Sequence, residues 1–98
     1  MKPGDLEEHA REASGDGRFE IRYTQWRRVA YEPYDFWEAD ARWDVVRVAT
    51  GEILATYTGT WTDTGERARD TTGVIDVRFD GDGYVVKTGV DTYEHHTL

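Results

Sequence analysis

Three successive stretches of this chain alternate apolar and polar residues with a period of two, and that pattern restricts the fold more than any other feature. In RFEIRYTQWRRVAY, residues 18–31, Phe19, Ile21, Tyr23, Val29 and Tyr31 fall on one side and Arg22, Thr24, Trp26 and Arg28 on the other. In WEADARWDV, Trp37, Ala39, Ala41, Trp43 and Val45 alternate with Glu38, Asp40, Arg42 and Asp44. In GEILATYTGTWT, Ile53, Ala55, Tyr57, Gly59 and Trp61 alternate with Thr56, Thr58, Thr60 and Thr62. Successive side chains of a strand point to opposite faces, so each stretch reads as a strand with one buried and one solvated face. The aromatic and acidic residues crowded into YEPYDFWEADARWDVV separate onto opposite sides in this way.

Glu32-Pro33-Tyr34 supplies a turn between the first two strands, and their apolar faces must coincide. The register that achieves this sets Val29 opposite Trp37, Tyr23 opposite Trp43 and Ile21 opposite Val45. It also sets Arg28 opposite Glu38 and Arg22 opposite Asp44, two opposite-charge pairs that support a salt-bridged outer face. The parity slips at Val45, Val46 and Val48, which predicts a bulge in the second strand near Asp44 to Val46. After a Thr50-Gly51 turn, Trp43 then meets Tyr57 and Ala39 meets Trp61, large residues beside small ones.

The remaining elements follow from simpler signals. Asp5 with Glu8 has the form of a capping box, and Leu6, His9, Ala10 and Ala13 recur at helical spacing before Gly15, which predicts a short helix over about residues 5–14. TDTGERARDTT, about 62–72, reads as a polar loop. Ile75, Val77 and Phe79, then Tyr84, Val86 and Val90, alternate on either side of a Gly81-Asp82 turn. The expected architecture is α+β: the N-terminal helix packed on a curved five-stranded antiparallel meander, with strands at about 18–31, 36–49, 52–62, 73–79 and 84–94. A small open β-barrel with an N-terminal helix is the alternative.

Composition bounds what such a domain can do. With 98 residues the chain is expected to form one domain, 1–98, large enough for a single core. It contains no cysteine, which excludes disulfides, thiolate metal sites and cysteine nucleophiles. Twenty acidic against 12 basic residues give a net charge of -8, which opposes direct nucleic-acid binding, because that binding draws on cation release from phosphate. No apolar run suits a membrane span, and MKPGDLEEHA has no apolar stretch of the signal-peptide kind, so a soluble cytoplasmic protein is expected.

Short motifs carry little chemistry. Asp63-Thr64-Gly65 resembles, over three residues, the catalytic triplet of dimeric retroviral aspartic proteases. That family has apolar residues before the aspartate and a small residue after the glycine; here Trp61-Thr62 precede and Glu66 follows, so the triplet reads as turn chemistry. Asp80-Gly81-Asp82-Gly83 opens like a calcium loop but lacks the closing glutamate, Asp91 standing at that position. His95 and His96 are adjacent on a strand and point apart, so they do not share a metal, and His9, His95 and His96 read as solvated. Ser14 is the only serine and lacks a nucleophile-elbow context. No catalytic residue, metal site or cofactor is expected.

What remains is a surface and an interior. Trp26 with Arg22 and Arg28 on the outer face, and Tyr34 and Phe36 at the first hairpin's tip, have the composition of a protein-interaction surface. The expected function is therefore a small acidic non-enzymatic module that binds another protein, a second copy of the chain included. A related alternative is an inhibitor of phage or mobile-element type that offers its acidic surface to a nucleic-acid-binding protein. A third reading makes Arg27, Trp43, Tyr57 and Trp61, with Trp37, the lining of a ligand-binding or catalytic pocket. Its diagnostic is a polar residue buried among those aromatics, and only Gln25 and Arg27 share the inward parity of the first strand.

Overall fold

The computed structural model describes residues 6–29, 37–63, 70–89 and 91–98. They form β1 (Leu6–Ala13), β2 (Phe19–Val29), β3 (Trp37–Arg47), β4 (Ile53–Asp63), β5 (Asp70–Gly73), β6 (Asp76–Asp80), β7 (Gly83–Gly89) and β8 (Thr92–Thr97). The first five strands make one sheet in the order β1-β2-β3-β4-β5 and the last three a second, β6-β7-β8, with every pairing antiparallel. Among the described residues there is no helix. The protein is therefore all-β rather than α+β, and it is built of two sheets rather than one meander or a barrel.

The expected helix over 5–14 is replaced by β1. Its helical stripe, Leu6, His9, Ala10 and Ala13, offers one long apolar side chain, and a helix that short does not recover its nucleation cost without strong packing. Pairing with β2 instead engages eight positions, from Leu6 opposite Arg27 to Ala13 opposite Glu20, without a slip. The same residues alternate equally well with period two. Glu8, Ala10 and Glu12 stand opposite Gln25, Tyr23 and Ile21, while Glu7, His9 and Arg11 stand opposite Trp26, Thr24 and Arg22.

The turn from β1 to β2 is organised by Asp16. Its carboxylate accepts from the Arg18 amide at 3.0 Å, the Ser14 hydroxyl at 2.8 Å and the Arg18 guanidinium at 2.9 Å. Led by the Arg18 amide, these bonds favour the charged form and hold the carboxyl down at about 2.

β2 and β3 pair in the register read from the sequence, with Val29 opposite Trp37, Tyr23 opposite Trp43 and Ile21 opposite Val45. β3 and β4 likewise set Trp43 opposite Tyr57 and Ala39 opposite Trp61. The bulge lies where expected but in the other strand: pairing steps from Val45 opposite Ala55 to Val46 opposite Ile53, so the additional residue is Leu54 of β4. The slip reverses the parity at the start of β4, and Ile53, expected inward, is 51% exposed.

The expected strand 73–79 breaks at a corner. Gly59 and Gly73 are paired across β4 and β5. A Cβ on Gly59 would collide with the Val74 carbonyl, and one on Gly73, whose φ is 79°, would lie 2.9 Å from the Thr58 carbonyl oxygen. The Val74 amide donates to that oxygen at 3.1 Å. The chain thus passes close over β4 where neither strand carries a side chain, then begins β6 in the second sheet. The expected strand 84–94 breaks too: pairing slips between Lys87 and Gly89, and β8 returns along β7.

The second sheet covers the inner face of the first. Ile21, Ala41, Trp43 and Val45 pack with Val77, Tyr84 and Val86, and Tyr23, Ala55, Tyr57, Val74 and Phe79 lie against this cluster. The odd-numbered set of β2 and β3 meets the apolar set of β6 and β7, which makes this a two-layer sandwich core.

Candidate functional site

Because the second sheet occupies the inner face, the outer face of β1 to β4 is left to solvent. Cross-strand pairing orders it in rows. Glu7, Trp26, Asp40 and Thr60 form one, His9, Thr24, Arg42 and Thr58 the next, and Arg11, Arg22, Asp44 and Thr56 a third. Trp26 is 42% exposed, and Thr56, Thr58 and Thr60 on β4 are exposed as well. The exposed indole thus stands between Glu7 and Asp40 in its row.

Arg22 and Arg42 pair along their own strands rather than across to the neighbouring one. Arg22 bonds Glu20 at 2.9 Å and Arg42 bonds Asp44 at 3.0 Å, each two residues away on its own strand. Asp44 also accepts from the Thr56 hydroxyl at 2.7 Å. The Arg22 to Asp44 ion pair expected from the register is thus replaced, because same-face neighbours at i and i+2 compete for the same guanidinium. Arg11 reaches Glu20 at 3.7 Å and His9 Nε2 reaches Glu7 at 3.0 Å.

Of the other surface candidates, Arg28 lies in β2 opposite Glu38, its side chain outside the described part, and Tyr34 and Phe36 fall outside the described residues. Arg27 lies opposite Ala39 and Leu6, and its side chain too is outside the described part. Trp43 and Tyr57 are brought together in the interior, whereas Trp61 is half-buried further along β4. Trp43 is 7% exposed, with its ring centroid 5.2 Å from that of Tyr23. The Tyr57 and Tyr84 hydroxyls bond at 2.7 Å. Desolvation, then this bond, pushes the Tyr57 phenol above the usual tyrosine range, which opposes its use as a base.

A cleft of about 380 Å³ opens between β1, β2 and the start of β6. Ile21, Tyr23 and Trp43 floor it, and Glu12, Asp76 and Arg78 edge it. Arg78 is held by Asp76 at 2.5 Å, which ties up the cation of the second-sheet rim. The diagnostic polar residue is present in Gln25, 6% exposed: its Oε1 accepts from the Tyr23 hydroxyl, and its Nε2 has no partner. Gln25 is not among the residues lining the cleft.

One interior residue and one partnership escape sequence reasoning. Tyr84, inward as expected, bridges to Tyr57, and His96, expected to be solvated, is half-buried with its ring stacked on Tyr84 at 5.0 Å and 14°. Its Nε2 is buried without a partner, while His95 is exposed. The adjacent His95 and His96 contain the signal, since one of two neighbours on a strand must face inward once the strand is covered. Asp63 ends β4, and Asp80 to Gly83 form the tight turn between β6 and β7. Among the described residues no three His, Asp or Glu side chains gather as a metal site, and no helix is long and apolar enough to cross a membrane.

No family model, curated protein or solved structure matches this chain.

Proposed function

We propose that the protein is a small non-enzymatic module that binds another protein through the outer face of its first sheet, with Trp26 as the anchor. The observation that supports this is the exposed Trp26 indole in one cross-strand row with Glu7 and Asp40. An exposed tryptophan on an acidic protein suits a lysine or arginine of the partner, which would lie on the ring. Mimicry of nucleic acid is the weaker reading, because Arg22 and Arg42 neutralise Glu20 and Asp44 on the same sheet. The pocket reading is weaker still, since Trp43 and Tyr57 are packed into the core.

The test is titration of wild type and Trp26→Ala with an arginine-rich peptide and with its glutamate-rich counterpart, followed by calorimetry. Both proteins are expected to unfold within about 0.5 kcal/mol of each other, as for an exposed site. Binding of the arginine peptide by wild type and its loss in the variant support the proposal. Equal binding by both proteins, or none by either, would sink it.

A further inference from the structure

We infer that β1 is a self-association edge, through which two copies of the chain pair antiparallel into one continuous sheet. This goes beyond the Trp26 proposal and rests on a strand edge rather than a sheet face. β1 is the outermost strand of the first sheet, runs eight residues without a slip and contains no proline; the charges it carries, Glu7, Glu8, Arg11 and Glu12, are of the kind that blunt an edge against indiscriminate pairing and leave only a charge-matched partner.

The backbone places the edge groups. The Ser14 amide donates to the Phe19 carbonyl across the β1–β2 turn. Hydrogen-bonding direction alternates along an antiparallel strand, so the even residues of β1 address β2 and the amides and carbonyls of Glu7, His9, Arg11 and Ala13 point outward. Two copies related by a twofold axis must therefore pair odd residues with odd ones.

Charge then selects a register. With the axis at His9, Glu7 of each copy meets Arg11 of the other, two opposite-charge pairs, and Glu8 meets Ala10. An axis at Glu8 sets that residue against itself; an axis at Ala10 sets Glu8 against Glu12 twice; an axis at Arg11 brings two guanidinium groups together. One alignment is complementary and its neighbours repel, which is how edge charges specify a partner while excluding others. Within one chain Glu7 pairs with exposed His9, and Arg11 reaches the half-buried Glu20, which keeps Arg22 as a nearer partner, so both bonds are redirected at little cost.

The measurement is sedimentation of the full chain across a concentration series, for wild type, Glu7→Arg, Arg11→Glu and a mixture of the two variants. Wild type is expected to dimerise, and each variant to weaken the dimer on the order of tenfold by making both cross-pairs like-charged. In the mixture, the two arginines that the first variant carries on its edge face the two glutamates that the second carries on its own. Association therefore returns as a heterodimer, even where one variant is somewhat less stable. A wild type that stays monomeric throughout, a dimer indifferent to either variant, or a mixture that fails to associate overturns the inference.

Discussion

The hydroxyls of Tyr57 and Tyr84 are joined at 2.7 Å across the two sheets, one from β4 and one from β7. Tyr57 lies opposite Trp43 in the first sheet, and Tyr84 carries the stacked His96 in the second. This bond is a polar tie across a core built mostly of apolar side chains. Replacing either tyrosine with phenylalanine leaves the other hydroxyl unpaired and is expected to cost about 1–2 kcal/mol, while the double variant recovers much of that loss. Denaturant unfolding of the four proteins checks it; additive losses would show that the two hydroxyls do not act as a pair.

The same pair sets an alkaline limit. Folding raises the Tyr57 phenol above its ordinary value near 10, so above that pH the unfolded chain has released a proton that the folded one retains. Stability is therefore expected to be level below about pH 10 and to fall as pH rises beyond it. Tyr57→Phe should flatten that fall, measured as the denaturation midpoint from about pH 9 to 11.

At the opposite end of the scale, Asp16 is held ionised by the Arg18 amide, the Ser14 hydroxyl and the Arg18 guanidinium. Its stabilising contribution is present above the unfolded carboxyl value near 4 and is lost as pH falls toward about 2. Carbon-detected NMR titration should give Asp16 a midpoint well below the ordinary aspartate value. A midpoint near 4 would mean that the turn does not hold its bonds in solution.

The Gly59 and Gly73 corner should tolerate no side chain. Gly59→Ala is expected to cost about 3 kcal/mol, because the collision is with the Val74 backbone rather than a movable side chain, and Gly73→Ala about 1–3 kcal/mol from its positive φ. Gly15→Ala, where nothing stands within 4 Å, serves as the control and should stay within about 0.5 kcal/mol. Thermal or chemical unfolding of the three variants decides it.

The pairing of β2, β3 and β4 and the β6–β7 hairpin are legible in the sequence, whereas β1, β5 and the division into two sheets are not. Alternation with matching charge is enough to place Ile21 opposite Val45 and Trp43 opposite Tyr57, because a one-residue slip would turn every apolar side chain of a strand to solvent. LEEHAREA misleads because its few apolar residues fit both periods, and only an unpaired β2 edge decides between them. The break at Gly73 is hidden for a different reason: Ile75, Val77 and Phe79 alternate as they would in either sheet, and the crossing depends on two glycines meeting from distant strands. Of the site, Trp26's outward parity can be read directly, whereas the Tyr84 and His96 partnership with Tyr57 requires knowing that a second sheet lies underneath.

Each strand of the first sheet pairs with the strand before it, and the second sheet repeats that rule. Such an order keeps contact order low for an all-β chain, because every pairing closes only the connection between two consecutive strands. The first sheet can zip from any of its turns, with the loop-closure entropy spread over several short steps. Burial of Trp43 and Val45, by contrast, needs both sheets, so it depends on the second sheet reaching the first across the Gly73 corner.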